Sequence, residues 1–551
     1  MRKKLIIIPL SFVLLVSVAA KFTDTDRYFE IFKNLDIFAT LFKEVNTHYV
    51  DEVNPSTLIK KGIDEMLGSL DPYTNYIAAD DIENYRMLTT GEYSGIGAVV
   101  ERKNGVHMVV LPYEGFAAHE AGLKAGDEIH KVGGISLEGK NSDEISYLLK
   151  GQSKSDIVMT IKRYGQEDLF EVTLKREKIS VESVPYAGMV TDDIGYVRLT
   201  SFTQNVGRQV GIKTLDLLEQ GAKGIILDLR GNPGGLLHEA VNVSNVFIEK
   251  DKKIVVQKGK VRANDWTYNS LNEAVDTNVP LAILTDNGSA SASEIVSGVV
   301  QDYDRGVLVG RKTFGKGLVQ VERPLSYDAV VKITTAKYYT PTGRCIQAID
   351  YSNRNPDGSV GKIPDSLKTE FRTANGRLVF DGGGIDPDIE VDDFDFAPIT
   401  YSLLIKDHIF FYATEYYYNN QNRASEDPRD LRLSDQEYDQ FVKWLEGKEF
   451  DYTTELEKEV NKLIKTAKTE KKYAELKTQF DQLEIASVHD KNRDLLTFKE
   501  EITMLLEQEI ASRFFLQRGL VESTFNKDPD ILEAVNVLRD EERYAQLLKR
   551  K

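Results

Sequence analysis

Cysteine is almost missing from this chain of 551 residues: Cys345 stands alone, which excludes an intramolecular disulfide and a cysteine-based zinc cluster. Histidine is sparse as well, seven in all and no two within helical reach of each other, so neither a metal nor another cofactor is expected. Basic residues fall short of acidic ones, 70 against 87. The resulting formal charge of −17 argues against nucleic acid as a partner, because phosphate binding needs a basic surface. With 41% hydrophobic and 28% charged residues, the composition excludes bulk disorder, a collagen-like fibre and a multi-span membrane protein. At roughly 150 residues per domain the length suggests three or four domains.

The first twenty residues have a different texture. Arg2, Lys3 and Lys4 precede an apolar run from Leu5 to Ala20, and Val18-Ala19-Ala20 offers small residues for a signal peptidase. Residues 1–20 are therefore expected to be a signal peptide or an N-terminal membrane anchor, placing the rest in the periplasm or cell envelope. No cysteine follows the run, so a lipoprotein anchor is excluded.

Residues 21–87 read as a helical cap. Phe29, Phe32, Leu35, Phe38, Leu41 and Phe42 form one stripe at three- and four-residue steps, Asn54-Pro55-Ser56 interrupts it, and Asp71-Pro72 stops its continuation. From 88 to 179 short strands alternate with glycine turns, with a helical piece near Asp143–Leu149. This order resembles a PDZ domain: Gly95-Ile96-Gly97-Ala98 matches that family's carboxylate-binding loop, and AGLKAGDEIHKVGG its second signature. Glycines let consecutive N–H groups converge on an anion, and a strand edge can accept a peptide. An ordinary small β-barrel with hairpin glycines is the alternative. Residues 398–551 are helical and charged again. Ser434 and Glu437 make a capping box, the aromatics from Phe410 to Tyr418 read as a core or interface stripe, and Leu456, Val460, Leu463, Ile464 and Ala467 trace one face.

Between 180 and 397 strands and helices alternate, which suggests an α/β core. Three buried-strand runs empty into glycine-rich loops: Gly224–Leu229 into RGNPGG, Pro280–Thr285 into DNGSASASE, and Gly306–Val309 into GRKTFGKG. One site at the strand ends follows. Ser289, Ser291 and Ser293 stand at a strand-to-helix junction, a place suited to a nucleophile and equally to a helix cap. The only histidine of this region is His238, expected on the first turn of a helix, although a Ser–His pair would compete if it reached the serine. Lys316, between two glycines in an otherwise apolar neighbourhood, offers another base, since burial lowers an ammonium from its usual ~10.4. Gln320 could hold that lysine by accepting its hydrogen bond. A rival reading, a Walker A phosphate loop over Gly310–Lys316, fails because Gly317 replaces the Mg²⁺-binding hydroxyl residue and a strand-like stretch follows.

Together, DLRGNPGG at 228–235, NGSASASEI at 287–295, TFGKGLVQ at 313–320 and YYTPTGRCIQ at 338–347 resemble the C-terminal processing peptidases, the tail-specific proteases of serine peptidase family S41. GGGIDPDI at 382–389 is similar to the end of that family's core, and YVDEV and SLDPYTNYI to its N-terminal cap. The resemblance spans about residues 30–395 in order, with the PDZ domain in its expected place. It implies a multi-domain α/β fold: a crotonase-like α/β protease core, a β-rich PDZ domain, an N-terminal helical cap and a C-terminal helical extension. It also implies a serine endopeptidase with Ser291 as nucleophile, Lys316 as general base and Gln320 positioning the lysine. The oxyanion hole falls to Ala292 and either Gly235 or Gly234, and peptide binding to Gly95–Ala98. The separation of 25 residues between Ser291 and Lys316 agrees with the family, whereas Ser289 or Ser293 would shift it by two. Expected partners are polypeptides with free C-terminal tails, with a second copy of the chain or an adaptor lipoprotein as further candidates. The alternatives are a non-catalytic PDZ peptide-binding scaffold and an adaptor working through the C-terminal helices.

Overall fold

The computed structural model describes residues 7–549 apart from 83, 84, 86, 88, 89, 356, 393, 394 and 426. Residues up to Ala78 together with Glu322–Ile333 pack as one unit, and Ala79–Val321 with Thr334–Lys551 as another.

In the first unit, helix α1 (Ile7–His48) is followed by α2 (Pro55–Gly68). Asn54 starts α2 by accepting the Thr57 N–H at 3.1 Å, and Pro55 takes the first helical position, where no donor is needed. Asp71 Oδ1 then accepts the N–H groups of Tyr73 and Thr74, both at 2.8 Å, and closes a turn. Beyond it Asn75–Ile77 is a strand, paired antiparallel with Val330–Lys332, where the sequence reading expects helix. The turn frees the chain from the helical path, and Tyr76 and Ile77 suit a pleated edge. Most of the stripe on α1 is uncovered: Phe29, Phe32, Leu35, Phe38 and Leu41 are all at least half exposed, while Phe42 is half-buried. The start of the expected export segment, residues 1–6, and residue 88, where the PDZ stretch is expected to begin, fall outside those described. Among the described residues no helix is long and apolar enough to cross a membrane.

The second unit opens with the stretch expected to be a PDZ domain. Strands β1 (Ala98–Lys103), β2 (Val106–Pro112), β3 (Glu128–Val132), β4 (Asp156–Lys162) and β5 (Phe170–Lys175) form an antiparallel sheet in that order. Helix α3 (Ser142–Leu149), opened by an Asn141/Glu144 capping box, lays Ile145 and Leu149 on its core.

The α/β core holds a six-stranded sheet: β6 (Tyr186–Met189), β7 (Ile194–Arg198), β8 (Gly224–Asp228), β9 (Leu281–Thr285), β10 (Val307–Gly310) and β11 (Ile389–Glu390), adjacent in that order. All pairs are parallel except β6 with β7. The central strands are near-continuous apolar runs because both faces are covered. Ile225, Leu227, Leu281, Ile283 and Leu308 face α4 (Val206–Glu219), α5 (Leu237–Phe247) and α6 (Ala292–Asp302). Their alternates, Ile226, Ala282, Leu284, Val307 and Val309, face the opposite way.

What covers that second face comes from the C-terminal helices, among them α7 (His408–Asn419), α8 (Lys499–Glu522) and α9 (Pro529–Arg539). Ile531, Ala534, Val535 and Leu538 of α9, with Phe525 before it, complete the cluster on the sheet. The division at 397/398 therefore separates two textures of sequence, while the core runs across it. On α7, Tyr412 and Tyr416 are buried in the helical domain's own core. Tyr418 instead stacks on Tyr164 of the PDZ domain at 5.6 Å, and Lys124 of that domain lies over the Tyr417 ring. In Glu455–Thr469, Val460, Ile464 and Ala467 are buried but Leu456 and Leu463 are exposed, so the expected apolar face is only partly used.

Candidate active site

Strands β8, β9 and β10 are parallel neighbours, so the loops leaving their C-terminal ends lie together. Each loop binds the next through backbone and buried side chains. Asn232, fully buried, accepts the Ala290 N–H at 3.0 Å and the Ser293 hydroxyl at 2.9 Å on its carbonyl oxygen. Ser289 donates to the Leu229 carbonyl at 2.8 Å, and Asp286 Oδ1 accepts the Gly231 N–H at 2.8 Å.

These bonds separate the three alternating serines. Ser289 and Ser293 are fully buried struts between loops, whereas Ser291 is partly exposed at the N-terminus of α6. Its backbone, at φ 56° and ψ −109°, is strained for a residue with a side chain, at a cost of ~1–3 kcal/mol. Such a turn between strand and helix presents the hydroxyl outward.

One buried carboxylate organises the serine and lysine loops together. Glu294 Oε2 accepts the N–H of Ser291 and the N–H of Lys316, both at 2.8 Å. Its Oε1 accepts the Gly315 N–H at 2.7 Å and the Thr313 hydroxyl at 2.6 Å. Burial pushes Glu294 up to about 7 even against these four bonds, which favour its ionised form. The Tyr338 hydroxyl lies against the carbonyl oxygens of Ser291, at 3.0 Å, and of Lys316. Gln347 accepts the Gly317 N–H at 2.8 Å, fixing the residue after the lysine. Lys316 itself is half-buried, and its backbone N–H is held on the Glu294 carboxylate. Gln320, on the strand Leu318–Pro324, donates its amide N–H to Thr334 Oγ1 at 3.1 Å.

The glycine loop explains its own residue type. A Cβ on Gly234, whose φ is 101°, would lie 2.8 Å from Ser291 Cβ and from the Ala292 nitrogen. On Gly235 it would lie 2.4 Å from the Phe202 carbonyl oxygen. Gly234 is buried and its N–H donates to Asn232 Oδ1 at 2.9 Å, while Gly235 is exposed. Gly234 is thus already committed as a donor. Ala292, almost fully buried, is the first residue of α6.

His238 lies on the first turn of α5, 60% exposed and 3.7 Å from Glu239. Cys345 is half-buried, and burial pushes its thiol up, away from the reactive thiolate. Among the described residues no group of three or more His, Cys, Asp or Glu is placed to hold a metal.

The four PDZ loop residues occupy their own domain. Gly95 ends the strand Glu92–Gly95, Ile96 is buried, and Gly97 has a φ of 75° with Phe116 Cβ 2.5 Å from where its own Cβ would be. The carbonyls of Ile96 and Gly97 accept the N–H groups of Ala118 and Tyr113, at 2.8 and 2.9 Å. Ala98 opens β1, which lies at the end of its sheet.

The structure therefore brings Ser291, Ala292, Lys316, Gly234 and Gly235 into one loop cluster, with Gln320 on the strand leaving it. Glu294, Tyr338 and Asn232 were not singled out from sequence, although each lies within a quoted motif. The available signal for Glu294 was its place three residues after Ser291, the capping-box interval.

Comparison with known proteins extends this picture. Residues 193–360 match the model of "Peptidase family S41", residues 108–163 that of "PDZ domain", and residues 399–538 that of "Probable PDZ-protease, C-terminal helical domain". A carboxy-terminal-processing protease of Bartonella bacilliformis is 36% identical over 356 residues, 64% of this chain and 81% of that protein. A "Probable CtpA-like serine protease" of Staphylococcus aureus is 37% identical over 316 residues, 57% of this chain and 62% of that one. Among solved structures, a photosystem II D1 C-terminal processing protease is 26% identical, covering 64% of this chain and 92% of that one, with a TM-score of 0.36. With the Bartonella relative matched over most of its length and the PDZ, peptidase and helical-domain models matched in turn along the chain, the chain belongs to the carboxy-terminal-processing proteases of peptidase family S41.

Proposed function

We propose that the chain is a serine endopeptidase of the cell envelope that takes the free C-terminal tails of polypeptides on its PDZ domain and cuts them with a Ser291–Lys316 dyad. The observation that carries this reading is the shared carboxylate: Glu294 accepts the N–H groups of Ser291 and Lys316 on a single oxygen. Lys316 in its neutral form takes the Ser291 proton as the oxygen attacks a peptide carbonyl, and then donates it to the leaving amine. Water hydrolyses the acyl-enzyme. The N–H groups of Ala292 and Gly235 stabilise the oxyanion, since the N–H of Gly234 is engaged by Asn232. Gln320 positions the lysine from the adjoining strand.

The tail carboxylate is received at Gly95–Ala98 and the chain before it adds to the edge of β1. The basic start and apolar run of residues 2–20 support export or anchoring by that segment. The uncovered stripe on α1 supports a second copy of the chain or an adaptor lipoprotein as its partner.

The test is cleavage of paired synthetic peptides, identical but for a free or amidated C-terminus. The purified chain is expected to cut the free-tailed peptide faster, and Ser291→Ala to cut neither. Equal cleavage of both peptides would remove the tail-recognition part, and activity surviving in Ser291→Ala would remove the nucleophile.

A further inference from the structure

The loops that carry the glycines and the lysine share one more tie, which comes from the far end of the chain. Asp530, on the first turn of α9, has a side chain only 1% exposed. Its Oδ2 accepts Nη1 of Arg230 at 2.8 Å and Nη2 of Arg311 at 2.7 Å, and its Oδ1 accepts Nη1 of Arg311 at 3.2 Å. Arg230 opens the glycine loop two residues after the end of β8, and Arg311 opens the lysine loop directly after β10. Asp528 caps α9 through the Asp530 and Ile531 N–H groups and binds Arg230 Nη1 at 3.0 and 2.8 Å. On its other edge the Arg230 fork grips Asp228, whose Oδ2 also meets Arg198 at 2.5 Å and the Tyr196 hydroxyl at 2.6 Å. Three arginines and three aspartates thus interleave with balanced charge. The two catalytic loops meet at Asp530.

We propose that Asp530, steadied by Asp528, is a positioning residue for the peptidase: from the C-terminal helical domain it holds the glycine loop and the lysine loop in one register. Planar guanidinium forks suit this role, because a bidentate bond fixes orientation as well as distance. The inference rests on the reading of Ser291 and Lys316 given above. It assigns the C-terminal domain a part in building the catalytic site.

The test compares hydrogen exchange and kinetics of the full chain with Asp530→Asn, Arg311→Gln and Leu538→Ala. The last alters the packing of α9 on the sheet without touching the ion cluster. In Asp530→Asn, amides of 229–236 and 310–317 are expected to exchange about tenfold faster, since a loop that loses its buried tie opens locally. Its kcat per folded molecule is expected to fall by about tenfold with KM little changed, because misplacement affects the reacting geometry more than substrate binding. Arg311→Gln is expected to loosen 310–317 alone, and Leu538→Ala to lower the unfolding temperature while leaving both loops as in wild type. If exchange in the two loops is unchanged in Asp530→Asn, or rises equally in Leu538→Ala, the inference is overturned. If Asp530→Asn does not fold, Arg311→Gln decides by whether 310–317 loosens. A wild-type chain without peptidase activity would contradict the functional reading instead, because the exchange measurement does not depend on turnover.

Discussion

Glu294 is the residue on which the geometry of the site depends most. Fully buried and serving four donors, it is held near neutrality by burial, at about 7 against an ordinary 4.5. A carboxyl whose folded-state value is raised binds its proton more tightly in the native protein. Its contribution to stability is fully present below about 4.5 and is lost as pH climbs through about 7. Relative to Glu294→Gln, which does not titrate, wild type is expected to lose about 3 kcal/mol of unfolding free energy across that window, at ~1.4 kcal/mol per unit. Urea midpoints of the two proteins at pH 5 and pH 8 check this, and parallel pH dependences would contradict it. The same substitution turns an amide N–H toward the donors of the cradle, so peptidase activity is expected to fall by at least about tenfold at pH 8. The residues proposed for the chemistry were read from the sequence because serine, lysine and glycine stand in loops that follow apolar strand runs. Glu294 was not, since a buried acid has no composition signature and its partners are backbone groups contributed by another loop.

At the scale of elements, the three strand runs of the core were legible to within a residue or so, because a parallel sheet buried on both faces writes itself as unbroken apolar segments. The strand Asn75–Ile77 was not: three residues after a turn carry too little periodicity to separate from the helices before them. Nor did the sequence indicate what lies on the second face of the sheet. Helix α9 has an ordinary amphipathic pattern, and nothing in it says that Ile531, Ala534, Val535 and Leu538 pack on strands some 250 residues earlier. A chain ending at Ala397 is therefore expected to expose Ile226, Ala282, Leu284, Val307 and Val309 and to lose the fold of the protease core. At ~1.5–3 kcal/mol for each of the large side chains exposed, the loss is comparable with the whole stability of a typical domain, ~5–15 kcal/mol. Circular dichroism and limited proteolysis of the truncated chain measure this, and a protease-resistant core with native helix content would contradict it.

At the scale of the whole second unit, the C-terminal helices touch both other parts. Through Tyr417 and Tyr418 they meet the PDZ domain, and through α9 they reach the sheet and the loops at its strand ends. The contact with the PDZ domain is marked by Gly126, whose Cβ position is filled by Thr414, and by Lys103, paired with Asp407 at 3.1 Å. The PDZ signature AGLKAGDEI thus has a second use here, as the seat of the helical domain. The lone cysteine and scarce histidines are consistent with a site made of serine, lysine, a carboxylate and backbone donors. That composition of the site is the central claim, and its sharpest rival is a serine–histidine pair. The most direct measurement is kcat/KM of purified full-length Lys316→Ala and His238→Ala on one free-tailed peptide. The account predicts a loss of at least about a thousandfold for Lys316→Ala, the scale of removing a base that acts with its nucleophile as a unit, and near wild-type activity for His238→Ala. Near wild-type activity in Lys316→Ala with an inactive His238→Ala would contradict it.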